Sequence, residues 1–330
     1  RQQEIKAGLY LMLLQKREEN AIMLAATANN AKIIDEAIAD DIPVFPKRGI
    51  IYLVALVLGF VIPVAVIFLI DLTKFRVEGH ADVEKLNRLP GCEAIREYRI
   101  VWGGFAHVQA IVKLMAMALS KEDVSYMHLL TGEDFPLLTP EQLDEKFLTS
   151  DQIFMDYLTP EQLPETVTKR YQYYNWFTDQ NVKNKVLWQL QNMTVKVQKK
   201  AGICRKGIGP FTKIYKGLVY VSMPREAAAY VVSFVAKHGE FWDDLAVCQV
   251  PEEFFFQTIF MNDKNWREHV VNKQLRYMDW TKGDGSSPAY LTLEDYDKVK
   301  ASGCAFARKF HPKQSEILRD RLREDLGIES

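Results

Sequence analysis

A pair of acidic residues in an aromatic segment has the residue types best suited to catalysis in this chain of 330 residues. Glu252 and Glu253 follow Pro251 and precede three phenylalanines at positions 254–256. Proline suits the first turn of a helix and acidic side chains are favoured at its positive end, so the pair can be exposed and purely structural. A carboxylate in this position can instead act as a general base that takes a proton from an attacking hydroxyl group.

Two other segments place charged residues beside predicted strands or near the C-terminus. An apolar strand is predicted over residues 124–130, and Glu133 and Asp134 lie in the turn that follows it. Parallel sheets place functional side chains at the ends of their strands, so both carboxylates are candidates for shaping a pocket. Asp134 can equally hydrogen-bond the amides of its own turn. Arg308 and Lys309 form a basic pair close to the C-terminus.

Together, these three segments resemble the core-2/I-branching β-1,6-N-acetylglucosaminyltransferases and peptide xylosyltransferases of glycosyltransferase family 14. The resemblance covers roughly residues 94–312. It implies an α/β fold with a GT-A-like glycosyltransferase domain, in which the family's first strand–helix–strand unit is missing. It also implies inverting transfer of N-acetylglucosamine or xylose from a UDP-sugar donor to a hydroxyl group of a glycan.

The resemblance assigns roles to the charged residues. Glu253 falls on the glutamate that serves as the family's catalytic base. Lys309 falls on the lysine that contacts the UDP diphosphate, and Arg308 lies beside it. Such a fixed cation would stabilise the negative charge that the leaving UDP gains.

Four further residues are assigned to substrate binding by the same resemblance. Trp102 matches an aromatic residue near the uridine, and Trp280 matches a tryptophan that packs on the acceptor sugar. Either tryptophan can alternatively belong to the core. Lys169 and Arg170 precede an aromatic run and are candidates for binding the acceptor.

Two features concern how the diphosphate would be held. The family uses a second basic residue upstream of the Lys309 segment, but residues 286–288 read Ser-Ser-Pro here, so Arg276 or Lys282 would have to take its place. Asp295 and Asp297 match the Asp-x-Asp pattern of metal-dependent transferases, yet they lie in an apparent amphipathic helix. Because the family works without metal, we expect no metal site and no cofactor.

The N-terminal part has a different character. Residues 49–70 contain no charge, which predicts a transmembrane helix because a bilayer span needs about 20 apolar residues; a buried core helix is the alternative. Residues 1–90 resemble the C-terminal end of bacterial polysaccharide chain-length determinant proteins. This resemblance implies a periplasmic helix and short strand (1–48), the membrane helix (49–70), a cytoplasmic linker (71–92) and a cytoplasmic transferase domain (93–330) of a single-pass protein of the bacterial inner membrane.

Composition limits the partners. The net charge of −1 gives no general attraction to nucleic acid, and the four cysteines are too widely spaced for a zinc motif. The expected partners are a UDP-sugar, a glycan acceptor, the lipid bilayer and, through the membrane segment, further copies of the chain. The alternative is a catalytically inert fusion whose N-terminal part acts in chain-length control or export of surface polysaccharide.

Overall fold

The computed structural model describes residues 2–26, 48–73, 80–179, 185–283 and 287–328. The chain divides into two compact units, Arg1–Val77 and Glu78–Ser330. The first unit contains α1 (Gln2–Ala26) and α2 (Arg48–Thr73), and α1 confirms the helix predicted near the N-terminus. The short strand predicted near residues 30–37 lies outside the described residues.

The predicted transmembrane helix is not supported. The uncharged residues 49–70 lie within α2, in which the structure describes the side chains of residues 49–61. Across the described part of the chain, no helix combines the length and the apolar character that crossing a bilayer requires.

Two small sheets organise the second unit, which has a mixed α/β fold as predicted. The four-stranded sheet has the order β1-β4-β3-β5 and pairs β3 in parallel with β5, whereas its other pairs are antiparallel. The three-stranded sheet has the order β2-β7-β6, with β7 antiparallel to β2 and parallel to β6. The strands are β1 (Tyr126–His128), β2 (Asp134–Pro136), β3 (Ile153–Met155), β4 (Ser222–Pro224), β5 (Val270–Asn272), β6 (Arg276–Met278) and β7 (Phe306–Arg308).

Helices surround these sheets. Several begin at the signals seen in the sequence: Thr139 caps α5 and receives a hydrogen bond from the Gln142 amide, and Thr159 and Gln162 form the same capping box at a 3-10 turn. The helices are α3 (His80–Asn87), α4 (Phe105–Leu119), α5 (Pro140–Phe147), α6 (Glu165–Gln172), α7 (Lys185–Lys200), α8 (Arg225–Lys237), α9 (Gly239–Ala246), α10 (Phe255–Asn262), α11 (Lys264–Arg267), α12 (Tyr296–Ala301) and α13 (Glu316–Leu326).

Among the described residues of the second unit, the buried apolar side chains form one large and two smaller clusters. The large cluster joins α4, α8 and α10, and it includes the phenylalanines that follow Glu253. The smaller clusters lie on either side of β7, because Phe306 and Ala307 point to opposite faces of the strand. The three-stranded sheet therefore has its own packing, which includes Leu318 and Leu322 of α13.

Two predicted strands are shorter than their apolar runs. The run at 124–130 contributes the three residues of β1. Residues 216–222, whose sequence also predicts a strand, contribute only their last residue to β4. Lys216 instead forms an isolated bridge with Leu158, and the amide of Gly217 donates to the carbonyl of Glu253 at 2.9 Å. The backbone of this segment is thus attached directly to the turn that carries the carboxylate pair.

Candidate active site

A cleft of about 1010 Å³ opens on the surface of the second unit. Its walls come from the turn before β2, the segment 218–220, the turn at Pro251–Glu253, residues near β6 and the end of β7. Five of the seven predicted site residues line this cleft: Trp102, Glu253, Trp280, Arg308 and Lys309. Segments that are far apart in sequence are therefore brought to one site.

Glu253 occupies the end of a 3-10 turn that leads into α10. Its Oε2 atom lies 2.8 Å from Nη1 of Arg170 and 3.3 Å from Nζ of Lys216. Both contacts use Oε2, and among the described residues Oε1 has no hydrogen bond or ion pair. Because the adjoining Phe254 is fully buried, the turn is anchored in the core, and Arg170 and Lys216 hold one oxygen of the carboxylate.

The second carboxylate of the pair is buried as well. The Oε1 atom of Glu252 lies 3.4 Å from Nδ1 of His107, near the start of α4, and both residues line the cleft. Oε2 of Glu252 has no hydrogen-bond partner within the described structure. The expectation that Glu252 and Glu253 are exposed is therefore wrong, since both side chains are largely buried in the cleft wall.

The predicted acceptor residues Lys169 and Arg170 have different surroundings. Arg170 does not line the cleft itself, but it forms an ion pair with Glu253, which does. Lys169 is not among the residues that line the cleft, and its Nζ atom pairs with Oε1 of Glu165 at 2.6 Å, one helical turn away in α6. Acceptor binding by either residue stays a prediction.

The basic pair at the end of β7 is held by the turn before β2. Nη2 of Arg308 lies 2.9 Å from Oε2 of Glu133, and its Nη1 contacts Thr131 and Asp134. Nζ of Lys309 lies 3.6 Å from Oε1 of Glu133 and 4.6 Å from the centre of the Tyr290 ring. The two cations therefore face the cleft side by side, already paired with a carboxylate.

Asp134 lies behind this pair and is almost entirely buried, with 1% of its side chain exposed. Its Oδ2 atom accepts a hydrogen bond from the Thr131 amide at 2.7 Å, so the interpretation of Asp134 as a turn-stabilising residue is confirmed. The same oxygen lies 3.5 Å from Nε of Arg276. Burial lowers the pKa of Arg276, whose guanidinium stacks on Tyr220, and burial raises the pKa of Tyr220 to about 12.

Of the two possible substitutes for the family's second basic residue, the structure places Lys282 on the cleft. Lys282 lines the cleft and pairs with Asp295 at 3.1 Å. Arg276 is nearly inaccessible and supports Asp134 from behind. Of these two residues, Lys282 is therefore the one whose side chain lines the cleft with Arg308 and Lys309.

The two tryptophans of the site are exposed. Trp102 is 67% exposed and Trp280 is 43% exposed, so neither is a core tryptophan. Gly103, which follows Trp102, has a positive φ of 72° and approaches Val250 closely, and these features fix the turn beside the carboxylate segment. Exposed indole rings on a cleft wall suit stacking on a base or a sugar.

Sequence reasoning missed several residues of this cleft. His107 lines the cleft from the first turn of α4, a helix that the sequence predicts only from its apolar face. Lys216, which contacts Glu253, lies in a segment that the sequence predicts as a strand. Tyr220 and Tyr290 form cation–π contacts with the basic residues of the wall. The cation–aromatic pairing carries no local signal in the sequence, because the partners belong to different elements.

Comparison with known proteins shows two family matches along the chain. The family model described as Core-2/I-Branching enzyme matches residues 71–303, and the model of the GNVR family, a G-rich domain, matches residues 1–71. The second match confirms the resemblance of the N-terminal part to chain-length determinant proteins.

Two curated relatives from Arabidopsis thaliana are similar to this chain. Beta-glucuronosyltransferase GlcAT14A is 24% identical over 211 residues, which is 60% of this chain and 41% of the relative. Beta-glucuronosyltransferase GlcAT14B is 30% identical over 78 residues, which is 24% of this chain and 18% of the relative. The chain thus spans less than half the length of the relatives it matches, but the family match covers most of its own length. The chain belongs to the Core-2/I-branching enzyme family of glycosyltransferases.

Proposed function

We propose that the second unit transfers a sugar from a UDP-sugar donor to a glycan hydroxyl with inversion. The observation that supports this most directly is that a largely buried glutamate and a pair of cations line one cleft. Glu253 would act as the base, and Arg308 and Lys309 would bind the diphosphate. Trp102 would lie against the uridine and Trp280 against the acceptor sugar.

The proposed step follows from the placement of these groups. The acceptor oxygen forms the new bond to the sugar carbon while the bond from that carbon to the diphosphate oxygen breaks. The proton of the acceptor hydroxyl moves to Oε1 of Glu253, since Arg170 and Lys216 hold Oε2. The electron pair of the broken bond moves to UDP, whose added negative charge Arg308 and Lys309 stabilise.

The donor sugar is proposed by class. N-acetylglucosamine and xylose follow from the resemblance in the sequence, and the names of the two relatives add glucuronic acid. We therefore propose to test UDP-N-acetylglucosamine, UDP-xylose and UDP-glucuronic acid with the same set of glycan acceptors. We propose that transfer needs no metal ion, because cations of the chain itself face the cleft.

The test uses the full chain and the substitution Glu253→Gln. Loss of a general base typically costs about a hundredfold to ten-thousandfold in rate, so transfer should fall by that factor while UDP binding is nearly unchanged. Glu240→Gln is the matched control, because Glu240 is an exposed carboxylate on α9. Equal turnover of the wild type and Glu253→Gln would contradict the assignment.

A second candidate function is favoured by the GNVR match over residues 1–71. In this alternative, the N-terminal unit acts in chain-length control or export of a polysaccharide and the transferase domain is inert. The thermal melt of the full chain with UDP separates the two functions. A ligand that binds only the folded state adds about 2.7 kcal/mol of stability at a hundredfold excess over its Kd, so an unmoved melt would favour the inert domain.

A further inference from the structure

Glu133 has an unusual position in the cleft. Its carboxylate lies against both cations that the proposed function assigns to the diphosphate, at 2.9 Å from Nη2 of Arg308 and 3.6 Å from Nζ of Lys309. Its backbone carbonyl accepts a hydrogen bond from the amide of Phe310 at 2.9 Å. The residue is therefore fixed by its backbone to the segment that carries the cations.

The two acidic residues of this turn are held differently. Asp134 is buried and bound by a backbone amide as well as by arginines, so it forms part of the fold. The contacts that the structure shows for the Glu133 carboxylate are those to Arg308 and Lys309, and 38% of its side chain is exposed. A rotation about its side-chain bonds can therefore move this carboxylate into solvent without breaking a turn or a strand.

The charges of this cluster indicate that the Glu133 carboxylate and a diphosphate would compete for the same two cations. Among the described residues of this cluster, three cations, Arg276, Arg308 and Lys309, face two carboxylates, which leaves one net positive charge. Carboxylate and phosphate oxygens are alternative acceptors for the same charged N–H donors. A diphosphate that binds Arg308 and Lys309 must displace Glu133 or share the cations with it.

We propose that Glu133 is an internal counter-ion that competes with the nucleotide diphosphate for Arg308 and Lys309 and thereby sets nucleotide affinity. This inference rests on the proposed function, because it takes the diphosphate site as given. Without nucleotide, Glu133 holds the two cations in place, and it lowers their affinity for the nucleotide diphosphate. Its return to the cations also favours release of UDP after transfer.

The test is calorimetric titration of the full chain with UDP, for the wild type and for Glu133→Gln. The glutamine keeps the shape and removes the charge, so the variant should bind UDP up to about fivefold more tightly, as expected for a partly exposed ion pair. The gain should shrink at high ionic strength, where such interactions are screened. Glu240→Gln, which removes a charge elsewhere on the surface, should leave the Kd of UDP unchanged.

Uridine provides a second measurement that separates a local effect from a disturbed fold. It lacks the diphosphate, so the wild type and Glu133→Gln should bind it equally. Equal or weaker UDP binding by Glu133→Gln, with uridine binding intact, would overturn the competition and leave the proposed function standing. Absence of UDP binding to both proteins would overturn the proposed function and the competition together.

Discussion

Acidification should destabilise this protein through one partly buried histidine, His128. Nδ1 of His128 in β1 lies 2.8 Å from the hydroxyl of Ser222 in β4, and the ring contacts Phe147 and Phe306. Burial, with a smaller effect from the positive charge of Arg276, lowers the pKa of His128 from 6.5 to about 4. The imidazole is therefore neutral in the folded protein at pH 7.

The sign and size of the change in unfolding free energy follow from the difference between the pKa of His128 in the folded and the unfolded chain. Because the unfolded chain takes up the proton at a higher pH than the folded one, stability is fully present above pH 6.5 and is lost as the pH falls towards 4. One pKa unit corresponds to about 1.4 kcal/mol, so the loss amounts to about 3 kcal/mol at most over that window. Below pH 4 this contribution should not change further.

The assay is denaturant unfolding at several pH values between 4 and 8 for the wild type and His128→Asn. Asparagine retains a polar group near Ser222 and does not titrate, whereas all carboxylates are common to both proteins. The difference in unfolding free energy should therefore vary with pH only between about 6.5 and 4. Parallel pH profiles for the two proteins would refute the argument that His128 is buried in its neutral form.

Three further outcomes are expected. Trp280→Ala should raise the KM for the acceptor about fivefold to tenfold through lost stacking and leave UDP binding unchanged, which steady-state kinetics and titration can separate. Gly217→Ala should destabilise the fold by about 1–3 kcal/mol in denaturant unfolding, because a Cβ atom there would lie 2.0 Å from the carbonyl oxygen of Asp156. EDTA should leave the transfer rate unchanged, and a requirement for Mn²⁺ would count against diphosphate binding by Arg308 and Lys309 alone.

The sequence indicates only some of the segments that meet in the cleft. Glu253 is a candidate because a carboxylate pair follows a proline in an aromatic run, whereas Arg308 and Lys309 receive their roles from the resemblance to family 14. The capped helix starts at Thr139 and Thr159 were predictable, since a capping box involves residues only three positions apart.

The contacts within the site could not be predicted in the same way. Arg170 and Glu253 are 83 positions apart, and Arg308 and Glu133 are 175 positions apart. No local pattern shows that these side chains meet, because their approach depends on the packing of whole elements. For the same reason, apolar runs indicated burial correctly but overestimated strand length, since the hydrogen bonds of a ladder depend on the neighbouring strand.

The division of the apolar core has a consequence for how this site can change. Glu253 adjoins Phe254 of the large cluster, whereas Lys309 lies between Ala307 and Phe310 of a smaller one. The group that would receive the proton and the groups that would hold the leaving diphosphate are thus supported by different hydrophobic clusters. A substitution in one cluster can therefore be accepted without altering the packing of the other. Donor recognition and proton removal can then evolve independently of each other in related sequences.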